Sequence, residues 1–131
     1  SYLAQGRPND ARLWFRLALS KDHGNDVARS HLVQEYFDLK AYSAVVSLFN
    51  DAGITGETDS TTVAQIGESL LRTGSAPKAL SLLQARIRLR PQDGPLYLAL
   101  ADCYQQMGDA RQQAEMLRRA KSLLGAATMA N

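Results

Sequence analysis

The sequence has little of several features that mark specialised classes of protein. It contains a single cysteine, Cys103, so no internal disulfide can form. Its formal net charge is only +2, which gives no argument for a nucleic acid or an anionic membrane as partner. No apolar run approaches the roughly 18 residues that a membrane-spanning helix needs. With 45% apolar residues, the composition is that of an ordinary globular protein.

Patterns of metal binding and catalysis are also missing. His23 and His31 have no cysteine or second histidine at metal-ligand spacing, so we expect both to be solvated. Cys103 has no base near it in sequence, which indicates a buried apolar thiol and not a nucleophile. No phosphate-binding loop, nucleophile elbow or paired-carboxylate motif occurs. We therefore expect no catalysis, no cofactor and no metal.

What the sequence does contain is a repeat with a period of 34 residues that needs no gap. Four sets of positions carry it. They are Gly6, Lys40, Gly74 and Gly108; Asn25, Asp59 and Asp93; Phe15, Phe49, Leu83 and Leu117; and Ala18, Ala52 and Ala120, with Arg86 as the exception in the last set. A fixed period of this length is typical of proteins built from stacked helical hairpins.

Each period has the pattern of two amphipathic helices. Val63, Ile66 and Leu70 recur at three- and four-residue steps, and Gly74 then ends that helix. A second apolar stripe comes after it and ends at Pro91. The predicted helices are 1–5, 8–20, 26–39, 42–52, 60–73, 76–89, 94–107 and 110–124. The longest loop is expected before Ser60, and Ser75, Asp93 and Asp109 are expected to cap helices.

The pattern resembles the tetratricopeptide repeat. In one unit Val63, Ile66, Gly67, Leu70, Ala79, Leu83 and Pro91 match every slot of that signature by spacing. The resemblance implies an all-α, right-handed superhelical solenoid of antiparallel helix pairs with about three and a half repeats. The units would be a partial repeat at 1–25 and repeats at 26–59, 60–93 and 94–127, together a single segment of a longer protein.

The repeat register also predicts the environment of individual residues. In the last helix Ala114, Leu117 and Ala120 are expected to face the core. In the first unit Ala11, Phe15 and Ala18 are expected to do so, with Trp14 beside them. Lys40 replaces a turn glycine, at a cost of about 1 kcal/mol or less. Arg86, Arg88 and Arg90 are expected to be solvated, because alternate residues on a helix diverge by roughly 200°.

The resemblance further implies a protein-binding groove lined by the first helix of each pair. The matching positions are Val27, Ser30, Gln34, Phe37 and Asp38, then Thr61, Ala64, Glu68, Leu71 and Arg72, then Pro95, Leu98, Asp102, Gln105 and Gln106. Phe37, Leu71 and Leu98 would be apolar anchors for a peptide or a helix, or else would pack against neighbouring helices. One subtype grips the carboxylate of chaperone tails with Lys, Arg and Asn residues. The equivalent slots here hold none of these, and are Ser30, Gln34, Ala64, Glu68, Leu98 and Asp102.

Charge is distributed unevenly between the repeats. Residues 26–59 carry two basic and six acidic side chains, whereas residues 60–93 carry five basic and two acidic ones. Such neighbouring patches suit protein partners, through steering more than affinity. The alternative is an ordinary solvated surface.

The function indicated by the resemblance is a non-catalytic scaffold for protein–protein interaction. Repeats of this composition look like the long arrays of bacterial exopolysaccharide export proteins of the Pel and cellulose type. There they precede an outer-membrane barrel and recruit a periplasmic polysaccharide-modifying enzyme. This implies biofilm export and a periplasmic location. A cytoplasmic adaptor or regulator and a non-catalytic domain of a larger enzyme stay open. The apolar ends of the array predict self-association.

Overall fold

The fold is a row of antiparallel helix pairs. The structure, a computed structural model, describes the backbone of residues 8–130 and the side chains of residues 10–125. Within these ranges there are seven helices and no strand. They are α1 (Pro8–Lys21), α2 (Asp26–Asp38), α3 (Tyr42–Ala52), α4 (Ser60–Arg72), α5 (Ala76–Leu89), α6 (Gly94–Gln106) and α7 (Ala110–Ala130). The prediction of an all-α solenoid of helix pairs is confirmed, while the predicted helix 1–5 and the turn at Gly6 lie outside the described residues.

The boundaries of α1 to α6 agree with the predicted ones to within one residue. The last helix does not: α7 continues to Ala130 instead of ending at residue 124. Gly125 ends no helix here because, unlike Gly74 and Gly108, it does not take a positive φ. The loop 53–59 is the longest connection between the described helices, as expected.

Three inner helices end in the same backbone motif. At the end of α4, the Gly74 N–H donates to the Leu71 carbonyl at 3.1 Å and the Ser75 N–H donates to the Leu70 carbonyl at 2.7 Å. These bonds satisfy carbonyls that would otherwise be left unpaired at the helix end. The motif requires one residue in the left-handed backbone conformation, with a positive φ. That residue is Gly74, with a φ of 84°, at the end of α4 and Gly108, with a φ of 80°, at the end of α6. Lys40 occupies the same position with a φ of 59°, which glycine adopts far more readily.

Substitution of Lys40 by glycine is therefore expected to stabilise the protein. The Lys40→Gly variant should gain about 1 kcal/mol in free energy of unfolding, because the left-handed conformation no longer strains a side chain. Denaturant titration followed by circular dichroism measures this. Gly74→Ala is the matched control and should lose a similar amount. A Lys40→Gly variant no more stable than the parent would show that the turn carries no strain.

Of the three predicted side-chain caps, only Asp109 is formed, and it accepts a hydrogen bond from the Gln112 N–H at 3.1 Å. Asp59, which was not predicted as a cap, accepts one from the Thr62 N–H at 3.1 Å. Ser75 and Asp93 stand at the cap positions of α5 and α6 but make no such bond, so the prediction of side-chain capping there is wrong. In both helices the second residue is proline, which removes one of the N–H groups that a cap would bind.

The core lies between the paired helices and runs from α2 to α7. Leu83 of α5 is fully buried, and its methyl groups lie 3.3 Å from the position that a Cβ on Gly67 would take. The signature glycine of α4 therefore lets α5 approach closely. Other fully buried members are Val45, Val63, Leu70, Ala79 and Leu96.

The two ends of the array depart from the predicted core. On α7, Ala114 is exposed and Leu117 is 44% exposed, whereas Met116 and Ala120 are buried. The side of an outer helix that Leu117 occupies is covered elsewhere by the next helix pair, and none comes after α7 within the described residues. On α1, Trp14 is 58% exposed, so it does not pack beside the core residues as predicted.

Two buried arginines hold the long loop 53–59. Arg86 is 2% exposed and donates to the carbonyls of Thr55, at 2.9 Å, and Gly56, at 3.1 Å. Arg29 is 1% exposed and donates to the Gly53 carbonyl at 2.9 Å. The prediction that Arg86 is solvated is wrong, because the loop returns its carbonyls to the α5 surface. Arg88 and Arg90 are exposed, as expected.

Candidate protein-binding groove

The helices α2, α4 and α6 pack side by side and form one surface, which we call the inner face. Three open recesses run along it. The first, of about 460 Å³, lies between α2 and the loop 53–59; the second, of about 410 Å³, lies between α2, α4 and the start of α6; the third, of about 520 Å³, lies between α4 and α6. Together they make a shallow trough suited to an extended or helical segment and not to a small molecule.

Most of the residues predicted for the groove line these recesses. The first is lined by Val27, Ser30 and Gln34; the second by Phe37, Thr61, Ala64, Glu68 and Pro95; the third by Glu68, Leu71, Arg72, Asp102, Gln105 and Gln106. Asp38 and Leu98 are exposed but line none of the three. The structure places these residues in the recesses, and their role in binding a partner stays a prediction.

The apolar anchors predicted for the groove are not all available. Leu71 is only 8% exposed and belongs to the core. Phe37 is half-buried, packs against the core and meets Tyr42 edge to face, with ring centroids 5.7 Å apart. Both side chains therefore pack against neighbouring helices, which is the second of the two roles predicted for them. Leu98 is 42% exposed, and Val27, at 67%, is the more accessible apolar residue of the inner face.

The acidity of the inner face was not expected from the sequence. The residues that line the three recesses include six carboxylates and a single arginine, Arg72. The carboxylates are Asp26, Glu57, Asp59, Glu68, Asp93 and Asp102. Asp26, Asp59 and Asp93 were missed because they stand at the starts of inner helices or just before them, positions that suggested capping and not a groove wall. The 34-residue spacing of Asn25, Asp59 and Asp93 is a signal that could have placed Asp59 and Asp93 together, whereas Asp26 does not share it.

Two of these carboxylates already have partners within the protein. Asp26 accepts hydrogen bonds from the hydroxyls of Thr55 and Thr58, at 2.7 and 2.6 Å, and pairs with Arg29. Burial alone would raise the pKa of Asp26, but these donors outweigh it and the net pKa is lowered. Asp59 accepts from the Thr62 hydroxyl at 2.6 Å, and its pKa is lowered in the same way against the opposing effect of burial. Both carboxylates therefore shape the first recess.

The third recess holds a less balanced group of charges. Glu68 pairs with Arg72 at 3.4 Å, and the Arg72 guanidinium also lies 5.4 Å from the centre of the Tyr42 ring. Asp102 faces the same recess. Its pKa is raised, first by burial and then by the negative charge of Glu68, and Arg72 only partly offsets this. The recess therefore holds two carboxylates and one cation, and a further cationic group there would be favoured.

Two of the outer helices carry charge of the opposite sign. The exposed ionic side chains of α5 are Lys78, Arg88 and its neighbour Arg90, and α7 carries four basic residues against one acidic residue. The outer helix α3 differs, since its one ionic side chain is Asp51.

Cys103 and His31 lie in ordinary structural environments. Cys103 is fully buried, and burial raises the pKa of its thiol to about 11, so a reactive thiolate does not form near neutral pH. His31 is exposed and stacks on Phe15 with ring centroids 4.5 Å apart. Among the described residues, no group of His, Cys, Asp and Glu side chains could hold a metal ion. No described helix combines the length and apolar character that crossing a membrane requires.

Comparison with solved structures supports the fold over nearly the whole chain. The structure described as "MamA MSR-1 C2" superposes with a TM-score of 0.71 at 19% identity, over 96% of this chain and 72% of the other. "Crystal structure of MamA" gives a TM-score of 0.74 at 18% identity, over 93% of this chain and 71% of the other. No protein-family model matches the sequence, and no curated protein matches it. At this level of identity the likeness shows the architecture, a tetratricopeptide-type helical solenoid, and does not transfer a function.

Proposed function

We propose that the protein is a non-catalytic scaffold whose inner face binds a segment of a partner protein rich in Lys and Arg. The observation that carries the proposal is the excess of carboxylates in the recesses of α2, α4 and α6. Complementary charge steers a partner to a surface and fixes its register. A basic segment would meet Asp102 and Glu68 in the third recess, while the exposed Val27 offers an apolar contact in the first recess.

The proposal is tested with defined peptides. A labelled Lys/Arg-rich peptide and its Glu-substituted counterpart are titrated against the protein at low salt. The basic peptide should bind and the acidic one should not. Asp102→Asn should weaken binding of the basic peptide by about two- to fivefold, as expected for the loss of one exposed ion pair. Binding should also weaken as salt rises, because exposed charges are screened.

The matched control is Asp51→Asn, which removes the same charge from an exposed position on the outer helix α3. It should leave peptide binding unchanged. If the two substitutions weakened peptide binding equally, only the net charge of the protein would matter, and the inner face would be ruled out as the binding site. Since the pKa of Asp102 is raised, binding should also decline on acidification at a higher pH than an ordinary aspartate would give.

A narrower form of the proposal places the scaffold in bacterial exopolysaccharide export, where it would recruit a periplasmic modifying enzyme. It is supported by the composition of the repeats alone. A cytoplasmic adaptor and a non-catalytic domain of a larger enzyme would use the same inner face. Fractionation of cells that express the gene from its own locus separates these settings: recovery from the periplasm supports export, and recovery from the cytoplasm supports the adaptor.

A further inference from the structure

The loop 53–59 is a place where the array departs from its own repeat. The outer helix α3 ends at Ala52, whereas α1 and α5 end at Lys21 and Leu89, which both stand at the repeat position of Thr55. Three residues that are helical in these other outer helices are therefore unwound here. The unwound turn leaves backbone carbonyls that need hydrogen-bond donors from elsewhere in the protein.

The donors come from two buried arginines that are themselves departures from the repeat. Arg29 occupies a position that is Val63 and Tyr97 in the next two repeats, and Arg86 occupies a position that is alanine in the other three. The repeat fold thus requires an arginine at neither position. A buried cation is costly, and the Arg86 Nε finds no acceptor among the described residues. The unwound loop is what accounts for both arginines.

The bonds of Arg86 fix the part of the loop that carries Glu57. Arg86 binds the carbonyls of Thr55 and Gly56. Those two residues directly precede Glu57 in the chain. The Glu57 N–H donates to the Thr55 hydroxyl at 3.1 Å, and the same hydroxyl donates to Asp26 at 2.7 Å. The backbone at Glu57 is therefore held from α5 on one side and from α2 on the other.

Glu57 is the carboxylate of the first recess that is left for a partner. The recess is lined by Asp26, Glu57 and Asp59. Asp26 and Asp59 accept hydrogen bonds from donors within the protein. Glu57 is exposed, and its carboxylate has no such donor among the described residues. A cationic side chain can therefore pair with Glu57 without displacing an internal hydrogen bond.

We propose that the loop 53–59 is a recognition element of the inner face and that Arg86 is a positioning residue, which holds Glu57 where a Lys or Arg side chain of the partner enters the first recess. The inference rests on the proposed function, since it takes the partner segment to be basic. Arg86 lies on the outer helix α5 and is 2% exposed, so it acts on the partner only through the loop.

The positioning role can be told from a simple effect of charge by the sign of the change. Burial lowers the pKa of Arg86, and the negative charges of Asp26 and Asp59 act in the opposite direction. The charge of Arg86 therefore reaches the carboxylates of the first recess. If charge alone mattered, removal of Arg86 would leave the recess more negative and tighten the binding of a basic peptide. Positioning of Glu57 predicts weaker binding instead.

Titration of the full chain with the labelled Lys/Arg-rich peptide tests the proposal. Glu57→Gln should weaken binding by about two- to fivefold, as for one exposed ion pair. Arg86→Met, which fills the same space without donors, should weaken it by a similar factor. The double variant should bind no more weakly than either single variant, because Arg86 acts through Glu57. Arg86→Met combined with Asp102→Asn should multiply the separate effects, since Asp102 lies in the third recess.

Arg88→Met is the matched control, because it removes an exposed cation from the same helix. It should leave the affinity for the peptide unchanged or slightly higher. Circular dichroism of each variant reports whether the helices are intact. Glu57 is exposed, so the Glu57→Gln result stands whether or not Arg86→Met folds.

Three results would overturn the proposal: unchanged affinity in Glu57→Gln, unchanged or tighter binding by a folded Arg86→Met, and effects of these two substitutions that multiply in the double variant. The last would indicate a general loss of structure and not an action through Glu57. Weakening by Asp102→Asn but not by Glu57→Gln would reject this inference and keep the proposed function. A wild type that does not bind the basic peptide would reject both.

Discussion

Replacing Leu83 by alanine is expected to lower the free energy of unfolding by about 2–5 kcal/mol. The side chain is fully buried, and its methyl groups lie 3.3 Å from the position that a Cβ on Gly67 of α4 would take. Truncation leaves a cavity in the core between the two helices. Because helical repeats are stabilised by their neighbours, the loss should be felt beyond one helix pair. Denaturant titration measures the change.

Leu89→Ala is the control for this prediction. Leu89 lies on the same helix, six residues further along, and is 65% exposed. Its truncation should change the free energy of unfolding by no more than about 0.5 kcal/mol. Equal losses from the two substitutions would show that α5 packs on a different face from the one described.

Replacing Arg86 by alanine is expected to cost about 2–4 kcal/mol. The guanidinium is buried, and its two hydrogen bonds hold the carbonyls of Thr55 and Gly56 in the longest loop. Hydrogen bonds to a charged group contribute about 1.5–3 kcal/mol each. Their loss is partly offset, because the substitution also removes the cost of burying the guanidinium, whose pKa is lowered by burial. The effect should appear both as lower stability and as faster proteolysis within residues 53–59.

Arg88→Ala is the matched control for this loop prediction, since Arg88 is exposed on the same helix. It should leave stability and the cleavage pattern unchanged. A stable Arg86→Ala variant with an intact loop would mean that Arg29, which holds Gly53 from the other side at 2.9 Å, suffices alone.

The helices could be predicted from the sequence because their signals are local. Apolar spacing and turn residues repeat every 34 positions, and the register with Gly74 and Gly108 identifies even Lys40 as a turn residue. The end of the last helix was predicted wrongly at residue 124, next to Gly125, and a glycine closes a helix in this way only where the chain takes a positive φ. Whether it does so depends on the packing of the segment beyond it, and a single glycine carries no information about that packing.

The burial of single residues could not be predicted because it depends on distant segments. Arg86 stands in an alanine slot, and nothing near it in sequence shows that the loop 53–59 returns to it with unpaired carbonyls. Leu71 stands at a position that the family exposes in the groove, yet here it is only 8% exposed and belongs to the core. Most of the residues predicted for the groove do line recesses on α2, α4 and α6, and their role in binding stays a prediction. Of the carboxylates that line these recesses, Glu68 and Asp102 stand at predicted groove positions, whereas the other four stand in the loop or at helix starts.

Mapping of a bound basic peptide by amide chemical shifts tests the account most directly. In a titration of the isotope-labelled protein, the account predicts shifts concentrated on the inner face, at Glu68, Asp102 and Gln105 of α4 and α6. The amide chemical shifts of the outer helices α3 and α5 should not change. Shifts that cluster on the outer helices, or that spread evenly over the chain, would contradict recognition by the inner face.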